Sequence, residues 1–395
     1  MKQCCLCFIC ILCLLLGGCS WMDGSYVSVT PHEQPLSDLV GENVSASNYQ
    51  ELCEVLEDMI TSGSESAVIN VEDYDQNSVE GGMKLAVTRV LTTSPMGAYA
   101  VEDISYELGA SGGVPAIAVR IEYRHGLGEI RKIQRAVDME AVKVLIGSAL
   151  GRYDPGVVIL VDHYSPVDAT QIVEDYAAYN PSVVMESPQV SVELYPNSGK
   201  QRILELKFTY QTSRDNLRQM RSQVKPVFDA AALYVSGDGE ENQKYSQLYA
   251  FLMERFTDYQ LKTSITPSYS LLRHGVGDSK AFACVYAEMC RKAGLTCQVV
   301  VGTRGGEPWC WNIVQVDGYF YHVDLLGSRD FGGFHKLTDS QMIDYVWDYS
   351  AYPECTGAPP APEHQETLPS TDPTEPEALP EETVIPETVP ASTEK

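Results

Sequence analysis

Ser270-Leu271-Leu272-Arg273-His274-Gly275-Val276-Gly277-Asp278-Ser279 leads into a helical run in which Phe282, Val285, Tyr286 and Met289 share one face. Two glycines one residue apart mark a tight backbone passage. Asp278 stands where a carboxylate suits the positive start of a helix. The helix stops at Ala293-Gly294, because glycine accepts the left-handed conformation that ends helices. Three alternating stretches follow, Cys297–Gly302, Trp311–Val316 and Tyr319–Val323, and the last runs into Asp324. Period-two alternation of this kind predicts strands with one buried face. With an earlier helix bearing Tyr245, Leu248, Leu252 and Phe256, residues 240–355 are expected to form an α+β domain, a helix packed on an antiparallel sheet.

This order of elements resembles the core of the transglutaminase-like superfamily, which has a papain-like arrangement. In that family a Gly-x-Gly-x-Cys turn places a nucleophilic Cys at a helix N-terminus, where the dipole and free amides lower the thiol pKa. A His-x-Trp-Asn strand supplies the base, and an Asp ending the next strand orients it. Here the turn reads Gly275-Val276-Gly277-Asp278-Ser279, and the strand reads Trp309-Cys310-Trp311-Asn312. The resemblance therefore puts Ser279 at the nucleophile position, Trp309 at the base position and Asp324 at the orienting position. Leu337-Thr338-Asp339 and Tyr345-Val346-Trp347-Asp348 also resemble the closing segment of bacterial members.

Two of the three catalytic groups are replaced, and the replacements matter chemically. A serine hydroxyl needs an adjacent base before it attacks a carbonyl, whereas a cysteine is already partly thiolate. Indole only donates, so Trp309 cannot take the proton. His322 lies two residues before Asp324, on the same face of a strand, and is the one substitute base within the motif. Ser279 also reads as a plain helix N-cap. Cys284 reads as a core residue, and Cys310 alternates with Trp309 and Trp311 and so points away from the site. Trp309 could wall a peptide or sugar groove or fill a dead pocket.

Outward from this domain, a helical pattern precedes a strand twice. Tyr49, Leu52, Cys53, Leu56 and Ile60 lead to Ala67–Val71, and Ala141, Val142, Leu145 and Leu150 lead to Val157–Val161. Val71-Glu72-Asp73-Tyr74 matches Val161-Asp162-His163-Tyr164, and Ile104–Leu108 matches Val190–Leu194 at nearly the same offset. A near-constant offset across helix, strand and hairpin predicts two tandem α-β-α-β-β modules. They span 46–125 and 126–235, the second with a trailing helix over 213–235. Neither holds a phosphate loop or a catalytic cluster. Residues 356–395 are dominated by Pro, Glu and Thr and are expected to be disordered.

At the other end, Cys4–Leu16 is almost wholly apolar and ends in Leu16-Gly17-Gly18-Cys19. The run is too short to span a bilayer and reads as a signal peptide over 1–18. Its end resembles the lipobox of bacterial lipoproteins, which makes Cys19 the lipidated residue, 19–45 a polar tether, and membrane lipid a partner. The localisation that follows is extracytoplasmic, lipid-anchored to the cell membrane of a bacterium. A net charge of −26 argues against nucleic acid. No zinc or iron–sulfur ligand spacing occurs, so no cofactor or metal is expected. Cys53, Cys284, Cys290, Cys297, Cys310 and Cys355 are not spaced as a disulfide scaffold, although Cys290 and Cys297 either pair or stand as two thiols. The expectation is an inactive transglutaminase-like domain that binds or scaffolds an envelope protein, peptide or glycan. The alternative is an active envelope hydrolase or acyl transferase, of transglutaminase or peptidase type, using Ser279 with His322 and Asp324.

Overall fold

A computed structural model of the chain describes residues 42–235, 237–258 and 265–358. Cys19 and most of the tether and of the C-terminal segment lie outside them. Among the described residues no helix is long and apolar enough to cross a membrane.

The first module runs β1 (Glu42–Ser45), α1 (Tyr49–Ser62), β2 (Ser66–Asn70), α2 (Val79–Thr93), α3 (Pro95–Ala100), β3 (Val101–Ser111) and β4 (Val114–Tyr123). After a short α4 (Leu127–Ile130), the second runs β5 (Gln134–Ala136), α5 (Met139–Arg152), β6 (Gly156–Val161), α6 (Ala169–Tyr179), β7 (Gln189–Tyr195) and β8 (Arg202–Thr209). The two sheets are ordered β1-β2-β4-β3 and β5-β6-β8-β7. In each the outermost first strand is parallel to its neighbour and the remaining pairs are antiparallel. The expected α-β-α-β-β order thus gains a strand at the start of each module. Both extra strands are short edge strands without apolar alternation, so the hydrophobic pattern does not announce them.

Local chemistry sets the ends of α1 and α5. Asn48 caps α1 through bonds from the amides of Gln50 and Glu51, and Asp138 caps α5 through Ala141 N. Both helices end on a left-handed residue. That residue is Gly63 in α1 (φ 73°) but Tyr153 in α5 (φ 55°), where a side chain is normally disfavoured. Tyr153 is held there by burial and by its hydroxyl, which donates to Val183 O at 2.7 Å. Leu160 and Ile203, on the second sheet, join the core of the first module beside Tyr99 and Ile130, so the modules pack on each other.

The C-terminal domain comprises α7 (Arg214–Tyr234), α8 (Glu241–Arg255), β9 (Thr257–Asp258), α9 (Pro267–His274), β10 (Val276–Gly277), α10 (Ser279–Lys292), β11 (Cys297–Arg304), β12 (Glu307–Val316), β13 (Tyr319–Val323) and β14 (Tyr345–Trp347). The sheet order is β13-β12-β11-β14, antiparallel throughout. The helix trailing the second module carries Leu217, Val224 and Phe228 into one core with Leu248, Phe282, Val285 and Tyr286. It therefore packs as part of the C-terminal layer. Trp311, Ile313, Val300, Met342 and Trp347 form a smaller core on the opposite sheet face. That second layer fixes the far wall of the site.

Candidate active site

The passage into α10 is built around its glycines. Gly275 ends α9 in the left-handed region at φ 78°. At Gly277 a Cβ would come within 2.8 Å of the Ala281 Cβ and 3.0 Å of the Leu271 Cβ, so only glycine lets α9 and α10 approach. The N-cap is Asp278, whose carboxylate accepts from Ala281 N at 2.8 Å. Ser279 is the first residue of the helix and not its cap, contrary to the sequence reading. The residue is buried, and its hydroxyl oxygen accepts from Cys310 N at 3.2 Å.

Trp309 and Asp324 meet directly. The indole Nε1 donates to Asp324 Oδ2 at 2.9 Å, so the carboxylate is met by a ring N–H. Asp324 is buried and accepts three further bonds: Arg304 NH1 at 3.2 Å and Tyr345 OH at 2.7 Å, both on Oδ2, and Gly327 N at 3.0 Å on Oδ1. Burial and the adjoining carboxylate push the Tyr345 phenol well up, which keeps it a donor. The Arg304 guanidinium lies over both the Trp309 and Tyr345 rings, 5.5 Å from each centroid. Arg304 and Tyr345 escaped the sequence reading, because neither belongs to the three-residue motif and Tyr345 arrives from β14.

His322 finds its partners away from Ser279. It is fully buried, its Nδ1 accepts from Trp311 Nε1 at 2.9 Å, and its Nε2 lies 2.7 Å from Asp339 Oδ1. Because Nδ1 accepts, the proton sits on Nε2, which donates to Asp339. Asp339 Oδ2 in turn accepts from Cys355 N at 3.0 Å. Both ring nitrogens are thus committed to the network that closes the domain, the packed outcome, and not to the service to Ser279 on which the alternative reading draws. His322, Asp339 and the Cys355 thiol also bring three ligand-capable atoms within 4.8 Å of one another. The Nε2 proton required by the Trp311 bond occupies the position a metal would need.

Burial lowers the His322 pKa from 6.5, opposed by Asp339. The unfolded histidine then binds a proton that the folded one refuses, so this contribution to stability is full above pH 6.5 and lost as pH falls toward the folded value. Thermal midpoints measured from about pH 7.5 to about pH 5.5 should drop more steeply for the native protein than for His322→Gln. Equal slopes would remove His322 from the acid response.

Two thiols stand near Ser279. Cys284 is buried in the core, as its position predicted, and burial pushes it up to about 12. Cys310 pairs with Val301 on the sheet face that carries α10, opposite Trp309, and is pushed up to about 11 by burial. Its side chain does not join Trp309, while its amide holds Ser279. Both thiols are protonated near neutrality and supply no substitute nucleophile.

The Transglutaminase-like superfamily model (Transglut_core) matches residues 229–352, from the end of α7 through β14. Among solved structures, a transglutaminase is similar at 13% identity and a TM-score of 0.24, over 55% of this chain and 62% of its own. A candidate cysteine protease from Cytophaga hutchinsonii is similar at 13% identity and a TM-score of 0.24, over 38% of this chain and 66% of its own. A candidate protease from Parabacteroides distasonis is similar at 10% identity and a TM-score of 0.22, over 65% of this chain and 39% of its own. Each of these is covered over less than two thirds of its length. No curated protein matches the chain. Residues 229–352 are a transglutaminase-like domain, joined to two α/β modules that precede it.

Proposed function

We propose that the chain is an extracytoplasmic protein, lipid-anchored through Cys19, whose transglutaminase-like domain binds an extended peptide at the cell envelope without turning it over. The carrying observation is the Trp309–Asp324 hydrogen bond. It fills the base position with a side chain that only donates, while the amide of Cys310 occupies a lone pair of Ser279. Among the described residues no side chain is bonded to that hydroxyl as a base, and a serine without one is a poor nucleophile.

Peptide is favoured over glycan by the adjoining sheet. β14 covers the outer edge of β11 only at Gly302, Thr303 and Arg304. Val301 N is bonded outward to the Tyr352 hydroxyl, so by strand alternation Val299 also turns its amide and carbonyl outward. Val301 and Val346 expose 48% and 66% of their surface, beside the strand pair that holds Ser279. An added strand could use the Val299 backbone and those apolar side chains, with the Tyr352 hydroxyl giving up the Val301 amide. The two α/β modules, read as a duplicated unit, would hold the domain away from the membrane.

A fluorophosphonate probe tests for catalysis, because it labels a serine only when a base activates it. No labelling is expected of native protein or of Ser279→Ala. Labelling of native protein that Ser279→Ala abolishes would establish the competing reading, a hydrolase or acyl transferase that draws on His322 and Asp324.

A further inference from the structure

We propose that Cys290 and Cys297 form a thiol pair that closes to an intramolecular disulfide, tying the end of α10 to the start of β11. The six cysteines among the described residues are unbridged, but Cys297 packs against the core cluster that holds Cys290. The turn after α10 is pinned by Leu295 N bonding to Cys290 O at 2.9 Å. The Tyr245 hydroxyl then holds the chain beyond it, donating to Thr296 O at 2.6 Å and to Gln315 O at 3.0 Å. This return brings Cys297 onto the layer in which Cys290, Tyr245 and Leu295 pack together.

The two differ in access, which sets the order of events. Cys290 is fully buried, and burial holds its thiol protonated well above the ordinary range. Cys297 is half-buried and lines a cavity of about 460 Å³ between α6 and α10, with Tyr179, Arg291, Leu295, Gln298 and Val299. A small disulfide reaches Cys297 through that cavity. The Cys297 thiolate attacks one sulfur of the oxidant, a mixed disulfide forms, and one small thiolate leaves and takes a proton. Cys290, having lost its own proton, then attacks Cys297, and the second small thiol departs. The protein loses two electrons and two protons, and the small disulfide gains them as two thiols.

The neighbouring thiols of Cys284 and Cys310 provide an internal contrast. Both are buried and neither lines that cavity, so the same oxidant should leave them reduced. The bond would fasten α10, which carries Ser279, to the strand whose outer edge is open.

The test uses folded protein incubated with oxidised glutathione, then unfolded, alkylated and digested. The expected result is a cross-linked Cys290–Cys297 peptide, two hydrogens lighter than its parts. Cys53, Cys284, Cys310 and Cys355 should all be alkylated. In Cys297→Ser no cross-link forms and Cys290 is alkylated. Alkylation of both cysteines in oxidant-treated native protein overturns the proposal. So does a glutathione adduct that persists on Cys297 and is never displaced by Cys290.

Discussion

Trp311→Ala is expected to cost the transglutaminase-like domain about 4 kcal/mol of unfolding free energy, in the usual range for emptying a buried aromatic site. Trp311 is fully buried and packs edge-on against Tyr345 and Trp347, with centroids 5.2 and 5.7 Å away. Gly302 is shaped to admit it, since a Cβ there would lie 2.8 Å from the indole. The indole also carries the one donor to His322 Nδ1. Trp311→Phe separates the two contributions: it keeps most of the apolar volume and removes the donor, for a loss of about 1–2 kcal/mol. Amide exchange on β12 and β13 measures the domain without the modules contributing. A loss below about 1 kcal/mol in Trp311→Ala would mean that the second sheet face is not a packed core.

That same layer shows where the sequence was readable. The G-x-G turn, the inward face of α10 and the three consecutive strands were legible because each combines hydrophobic period with glycine chemistry over a short span. Motif spacing pointed to Ser279, Trp309 and Asp324, and the fold brings the Trp309 indole onto Asp324 and the Cys310 amide onto Ser279. β1 and β5 were not, being polar edge strands of four and three residues. His322 marks a different limit. Strand alternation correctly put it on the face of Asp324, but alternation says nothing of ring partners. Its partners, Trp311 across the strand pair and Asp339 from the closing segment, depend on tertiary contacts. Tyr345 and Arg304 on Asp324 were hidden likewise. A tyrosine and an arginine near a buried carboxylate satisfy it from distant strands, and no local pattern encodes the meeting.

Restoring two side chains should restore reactivity, by about 100-fold in hydrolysis of an activated acyl ester for Ser279→Cys with Trp309→His over Ser279→Cys alone. A positioned general base contributes about 10²–10⁴ in such reactions, and the lower end suits an imidazole introduced without further fitting. Position 279 already lies at the first turn of α10, where the helix dipole and free amides favour a thiolate. Position 309 already points a ring at Asp324. An imidazole there can give one N–H to that carboxylate and keep its other nitrogen as an acceptor, which an indole lacks. Trp309→His alone should stay inactive, because a serine with one new base still lacks a preformed thiolate. Adding Asp324→Asn to the active pair should lower its rate again, by removing the charge that supports the imidazolium. If the pair is folded by circular dichroism but no faster than Ser279→Cys, then a base at position 309 is not what limits reaction here, and the Cys310 amide on position 279 becomes the better cause.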